Sequence, residues 1–258
     1  MKAHTLTLPR QQEIAAALEH NGDVSVADLA RRFRVSEMTI RRDLQALADS
    51  GRVIRTHGGA TAAPKVSFEF EFLRRRQSAQ QAKEAIGSAA AGLVKDGQTV
   101  MLDSGTSTLA VAQHLKSKQH LTVITTSLPI ASALQFCSSI RLLLLGGFVR
   151  ADSPDLSGGL TESNLERLRA DVAIIGAEAI DLKGFVYHAS LEVVRLVSKM
   201  AQAAQRVYVV ADSAKLGRTA LARTGHLKDW DGLITDRGAP ATTLSALRRA
   251  GARIIKAQ

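Results

Sequence analysis

The sequence predicts an α/β protein: an N-terminal winged helix-turn-helix domain followed by a larger α/β domain with a largely parallel sheet. Three observations carry this prediction. The first sixty residues hold three short helical patterns separated by abrupt turns and closed by a small basic hairpin. From residue 82 onward, helical and extended patterns alternate, as in a sheet whose strands are joined by crossover helices. The strand-length runs of that region end in loops of Gly, Ser, Thr, Asp and Lys.

Pro9 opens the first helical pattern, with Ile14 and Leu18 on one face, and Asn21-Gly22 closes it with residues that tolerate left-handed backbone angles. Val24 to Val26 is a short extended link. Ala27, Leu29, Ala30 and Phe33 form the buried side of a second helix, which Val35-Ser36 interrupts. Ser36 is suited to cap a third helix by accepting from the backbone N–H of Met38 or Thr39, and Glu37 complements the helix dipole. Ile40, Leu44 and Leu47 then face inward, which turns Met38, Arg41, Arg42 and Gln45 outward. After Ser50-Gly51, the run RVIRTHGGA reads as a strand at Val53-Ile54 and a tight turn at Gly58-Gly59, with Arg52, Arg55 and His57 near the tip. In a winged helix-turn-helix the third helix enters the major groove and the wing touches the DNA backbone. A basic face on an exposed helix is ordinarily only a solvated surface. Arginine nevertheless suits DNA, because its planar fork grips phosphates or the guanine edge with two hydrogen bonds.

Residues 61–80 read as a linker containing Pro64 and the run Arg74 to Arg76, an exposed helix start or a set of phosphate contacts. Beyond it, helices are predicted at 82–94, 107–115 and 129–136, and strands at 98–103, 121–126 and 140–147. Further strand-length runs are DVAIIGA, RVYVVAD and DGLITD. The run IRLLLLGGFV is far shorter than the roughly 20 residues of a membrane span and reads as a buried strand.

In an open parallel sheet, ligands bind along the edge where strands end. The loop DSGTST there combines Gly105, which permits close backbone approach, with the hydroxyls and N–H groups of Ser104, Thr106, Ser107 and Thr108 at a helix start, a cradle for phosphate. Asp103 is suited to accept from sugar hydroxyls, and Lys215 or Arg218 can supply the cation. That set predicts a phosphorylated sugar as ligand. Gly and Ser also serve simply as tight turns before capped helices, the alternative that stays open for Gly146-Gly147 above all.

Composition narrows the function classes. A net charge of +10 and a sequence pI near 10.2 favour anionic partners. The excess is spread, with 13 basic and 9 acidic residues up to position 80 and 21 and 15 beyond, so charge alone does not locate a nucleic-acid site. The single Cys137 cannot form an internal disulfide, and MKAHTLTLPRQQEI lacks the apolar core of a signal peptide. A cytoplasmic protein without membrane attachment is expected. The seven histidines are dispersed without metal-ligand spacing, and there is no Walker loop and no GxGxxG. No metal, cofactor or catalytic residue is assigned.

VADLARRF, VSEMTIRRDLQAL and RVIRTHGGA closely resemble the DNA-binding signature of the DeoR family of bacterial sugar-catabolism repressors. LDSGTST, LTVITTSLPIA, LLGG, DVAIIGAEAID and VVADSAKLGR resemble that family's effector domain, so the likeness spans nearly the whole chain. The resemblance implies an effector domain sharing its fold with ribose-5-phosphate isomerase. It also implies a transcriptional repressor of carbohydrate-catabolism genes that leaves its operator when a sugar phosphate binds, and a homodimer or homotetramer. Ser36, Met38, Thr39, Arg41, Arg42, Gln45, Arg55 and His57 are its expected DNA-binding residues. Asp103, Ser104, Gly105, Thr106, Thr108 and Lys215 take the effector-contact role, and the expected domains are 1–60 (DNA-binding), 61–80 (linker) and 81–258 (effector binding and oligomerisation). The sequence departs from the family pattern at Glu71, where proline is usual, at Ser107 (threonine) and at Thr126 (asparagine). The segment holding Glu192, Arg195 and Lys199 departs in spacing by one residue. Two alternatives were open to this sequence: a sugar-phosphate isomerase carrying a DNA-binding domain, which lacks a second carboxylate resembling the isomerases' motif, and a nonspecific nucleic-acid binder acting by charge.

Overall fold

In the computed structural model, residues 7–49, 53–62, 72, 75–150 and 153–258 are described. The Ser50-Gly51 turn, Arg52, Arg74 and most of the 61–80 linker, Pro64 and Glu71 included, lie outside them. The chain divides into two compact units, Met1–Leu73 and Arg74–Gln258.

In the first unit, helices α1 (Thr7–Asn21), α2 (Val26–Phe33) and α3 (Glu37–Asp49) accompany strands β1 (Asp23–Ser25), β2 (Val53–Arg55) and β3 (Gly59–Ala62). The strands form an antiparallel sheet in the order β1-β3-β2. Ser25 caps α2 by accepting from the Asp28 N–H at 3.1 Å, and Ser36 caps α3 by accepting from the Thr39 N–H at 3.2 Å. The turn between these helices is made by Arg34 at φ 53°, whose N–H returns to the carbonyls of Ala30 and Arg31. Ile14, Leu18, Val26, Leu29, Ile40, Leu44, Leu47, Val53 and Ala60 make the core, which holds the three helices and the wing as one body. Gly59 lets β3 lie against β1, because a Cβ there would stand 1.8 Å from the Val24 carbonyl oxygen.

The second unit carries helices α4 (Gln80–Gly92), α5 (Thr106–Leu115), α6 (Leu128–Leu134), α7 (Gly159–Glu166), α8 (Leu191–Ala203) and α9 (Ala241–Arg249). Its main strands are β4 (Thr99–Leu102), β5 (Leu121–Thr125), β6 (Ile140–Leu144), β9 (Ala170–Gly176), β12 (Ala204–Val210), β14 (Gly232–Thr235) and β15 (Ile254–Lys256). They form one sheet in the order β15-β14-β12-β9-β4-β5-β6, and every pairing in it is parallel. Chain order runs outward in both directions from the β4/β9 pair, so the topological switch point, where the loops of neighbouring strands part, lies between those two.

Two smaller sheets were not anticipated: the hairpin of β7 (Phe148–Val149) and β8 (Leu156–Ser157), and the antiparallel trio β10 (Ala179–Ile180), β11 (Phe185–His188) and β13 (Ala222–His226). One expectation is corrected. IRLLLLGGFV is not a buried strand: β6 is the edge of the sheet, with Leu143 40% and Leu144 37% exposed and Phe148 83% exposed beyond it. An apolar run specifies a strand but not its rank in the sheet, and here its far side is left to solvent within the chain.

Candidate functional site

The first candidate surface is the outward side of α3 with the wing. The inward spacing of Ile40, Leu44 and Leu47 fixes the rotation of the helix, and Met38, Arg41, Arg42 and Gln45 are exposed on the opposite side. Thr39 is half-buried, its hydroxyl 2.9 Å from that of Ser36. Glu37 holds Arg41 at 3.1 Å, an exposed pair that a polyanion displaces at little expense. Gln45 is engaged at both ends of its amide, donating to Asp49 at 2.8 Å and accepting from Arg55 at 3.0 Å. The second of these bonds ties the wing strand to the third helix. His57 is exposed at the turn between β2 and β3. On the hidden side of α3, Asp43 is buried and paired with Arg10 of α1 at 2.6 Å, an anchor that helical periodicity did not reveal.

The second candidate site lies at the switch point. Asp103 follows β4, and its carboxylate accepts from the Ser104 N–H at 2.7 Å and from the Gly176 N–H, at the end of β9, at 3.0 Å. It thus spans the two strands where the sheet reverses. Burial pushes the Asp103 carboxyl up to about 7; the two N–H groups oppose this, the Asp155 carboxylate adds to it, and Arg150 opposes it. Near neutral pH the group is therefore shared between a hydrogen-bond donor and an acceptor.

Asp155 comes from the excursion that follows β6. The backbone of Leu156 donates to Thr126, and that of Leu128 to Pro154, which lays this segment over the end of β5. Asp155 there accepts from the Ser104 hydroxyl at 3.0 Å and meets Arg150 at 3.6 Å. Arg150 in turn reaches Glu192, at the start of α8, at 3.9 Å. His188 ends β11 nearby: its Nδ1 is 2.6 Å from the Thr224 hydroxyl, and burial pushes its imidazole down to about 4, against a backbone hydrogen bond with Gly176 and with a further push from Arg150.

Of the predicted effector residues, the structure brings Asp103 and Ser104 into this cluster. Gly105, at φ 139°, precedes α5, where Thr106 is half-exposed at the first position. Thr108 is fully buried and its hydroxyl donates to the Gly105 carbonyl at 3.1 Å, so it shapes the loop from within. Lys215 stands apart, on a single 3-10 turn (Ser213–Lys215) after β12, two strands from β4 at the same edge of the sheet. Glu192 joins the cluster through Arg150. Arg195 and Lys199 do not; they pair with Glu162 and Glu166 of α7 at 3.2 and 2.5 Å. Sequence reasoning missed Arg150, Asp155 and His188. For Arg150 a signal existed, a cation just past the paired glycines at a strand end. Among the described residues, no group of three or more His, Cys, Asp or Glu side chains could hold a metal, and no helix is long and apolar enough to cross a membrane.

Comparison with known proteins adds to this geometry. Residues 10–66 match the family model described as the DeoR-like helix-turn-helix domain, and residues 78–237 match the DeoR C terminal sensor domain. The chain is 31% identical to the glycerol-3-phosphate regulon repressor of Escherichia coli K12, over 92% of this chain and 94% of that protein. It is 30% identical to the HTH-type transcriptional repressor CsqR of the same strain, over 97% and 95%, and 30% identical to the transcriptional repressor AccR of Agrobacterium fabrum, over 90% of each. Among solved structures it is similar to ribose 5-phosphate isomerase A of Methanocaldococcus jannaschii, with TM-score 0.41 and 18% identity over 54% of this chain and 55% of that one.

Proposed function

The chain belongs to the DeoR family of DNA-binding transcriptional regulators, and on that premise we propose that it is a repressor of carbohydrate-catabolism genes released from its operator by a phosphorylated sugar. Residues 1–60 bind the operator, 61–80 connect, and 81–258 sense the effector and assemble the oligomer. Ser36, Met38, Thr39, Arg41, Arg42, Gln45, Arg55 and His57 are the proposed DNA contacts. The observation that supports this assignment is the Arg55–Gln45 hydrogen bond, which joins wing and third helix into one polar surface.

In the sensor domain, the reading rests on Asp103 at the β4/β9 switch point. A carboxyl group that both donates and accepts fits sugar hydroxyls, and the backbone from Gly105 to Thr106 opening α5 fits a phosphate beside it. Lys215 at the same edge supplies a cation. Release requires the effector to prefer the state that cannot bind DNA. A shift from 1:99 to 99:1 takes about 5.5 kcal/mol of preference. A homo-oligomer supplies such leverage, and the edge strand β6 supports one. Leu143, Leu144, Leu160 and Phe148 are exposed in this region, with Leu160 beside Gly146 and Phe148 beside Gly158, on either side of an open strand edge. An unpaired strand edge is a template for pairing, and a second copy of the chain, set edge to edge about a two-fold axis, covers it together with the apolar side chains beside it.

Selection of genomic fragments by the purified protein, followed by release trials with a panel of sugar phosphates, tests the proposal. Discrete sites released by one ester are expected; diffuse enrichment insensitive to every ester refutes it.

A further inference from the structure

α4 places the entry to the sensor domain at the candidate site. β4 is parallel to its neighbours, and the connection from Gly92 to Thr99 is short, so α4 ends at the amino edge of the sheet and begins at the carboxyl edge. The chain therefore arrives beside the loops that follow β4 and β12. α4 packs against α5, which opens at Thr106, and against β12, which ends just before Asp212.

Lys83 stands in the first turn of α4 and is buried. Its Nζ donates to the backbone carbonyls of Arg75 and Ser78, immediately upstream of the helix. Burial holds this ammonium below the ordinary lysine range; the Asp212 carboxylate opposes that, and the charges of Lys215 and Arg75 add to it. The same ammonium is bonded to the arriving segment and stands on a helix that packs against β12, the strand leading into the Asp212–Lys215 loop.

We propose that Lys83 is a positioning residue that ties the segment entering the sensor domain, residues 75–79, to the Asp212–Lys215 loop, so that an anionic effector bound at the loop alters how firmly that segment is held. This rests on the sugar-phosphate reading of the site. An ammonium has three donors and no acceptor, and a phosphate oxygen is a stronger partner for it than an amide carbonyl. A phosphate drawn to Lys215 competes with Arg75 and Ser78 for the Lys83 protons, and it neutralises the charge that opposes Lys83. The segment it loosens leads directly toward the DNA-binding unit. The device needs no contact between Lys83 and the sugar itself.

Hydrogen–deuterium exchange on the full-length protein tests this with wild type, Lys83→Met and Lys83→Arg, each alone and with ribose 5-phosphate, fructose 6-phosphate and fructose 1-phosphate. Methionine keeps the apolar stem and removes the donors; arginine keeps donors and charge. Without ligand, amides 75–83 are expected to exchange about tenfold faster in Lys83→Met than in wild type, with Lys83→Arg near wild type and the central strands β4 and β9 unchanged. With an effective ester, wild type changes at 212–218 and at 75–83 together, whereas Lys83→Met changes at 212–218 alone. Equal ligand-free exchange at 75–83 in wild type and Lys83→Met, or a ligand response there that survives the substitution, overturns the proposal. Silence of the wild-type 212–218 loop toward every ester defeats the sugar-phosphate reading instead, and the ligand-free comparison still decides whether Lys83 holds the segment. Should Lys83→Met loosen β4 and β9 as well, Lys83→Leu, which also lacks the donors, replaces it under the same criteria.

Discussion

Arg10 of α1 donates to Asp43 of α3 across 2.6 Å, and Gln11 donates to the other carboxylate oxygen at 3.3 Å. The pair sits behind the helix that presents Arg41 and Arg42, so it fixes the angle of the proposed DNA-reading surface without belonging to it. Asp43→Ala leaves a half-buried guanidinium without its carboxylate. Breaking a buried pair on one side removes about 3–5 kcal/mol, so thermal unfolding followed by circular dichroism should show an early transition for the DNA-binding unit, and operator affinity should fall with it. An unchanged melt would mean that the pair does not anchor α3.

Arg42→Ala and Arg55→Ala should separate contact from support. Arg42 is exposed, so its removal is expected to weaken operator binding with no change in melting. If Arg42 meets a phosphate, the slope of log affinity against log salt falls by about 0.9; if it meets a guanine edge, the slope holds and discrimination at one base pair falls by about 1–3 kcal/mol. Arg55→Ala also frees Gln45, so its loss of affinity should exceed that of Gln45→Ala alone. Anisotropy titrations at several salt concentrations measure both.

The legibility of the sequence follows from what its patterns encode. Ile40, Leu44 and Leu47 were readable because one helical period decides which side is buried, and the Ser36 cap because its geometry is local. Arg10–Asp43 was not, since the partners are 33 residues apart and each alone resembles a surface charge. The strands of the parallel sheet were legible as apolar runs, but β6 shows that such a run carries no information about its neighbours. The same limit hid Asp155 and His188, which reach the switch point from an excursion and an accessory sheet whose short strands have no period to detect.

Asp103 and His188 should give the sensor domain opposed pH dependences. Asp103 titrates near 7 when folded and near 3.9 when unfolded, so its contribution to stability is fully present below about pH 4 and is lost as pH rises through 7. His188 titrates near 4 when folded and near 6.5 when unfolded, so its contribution is present above about pH 6.5 and is lost as pH falls through 4. Between pH 4 and 6.5 the two nearly cancel in wild type. Asp103→Asn should unmask a loss of stability on acidification, and His188→Gln a gain, each of up to about 1.4 kcal/mol per pH unit. Denaturant melts across that range check both signs; parallel slopes in the two variants would contradict the burial of either group.

Leu144→Asp and Phe148→Asp should dissociate the proposed oligomer if the β6 edge is its interface. Both side chains are exposed in the single chain, so the folded protomer should survive either change. Light scattering after size exclusion should then report a smaller particle, and affinity for a two-half-site operator should fall further than affinity for a half-site. A variant that keeps its wild-type mass places the interface elsewhere.

The most direct test of the account is anisotropy of a labelled operator, taken from genomic selection, bound to the full-length protein and titrated with individual sugar phosphates beside their unphosphorylated sugars. The account predicts that one phosphate ester releases the DNA, that its parent sugar does not, and that Asp103→Ala binds the operator but no longer responds. Retention of the operator at saturating levels of every ester, or equal release by ester and parent sugar, would contradict it.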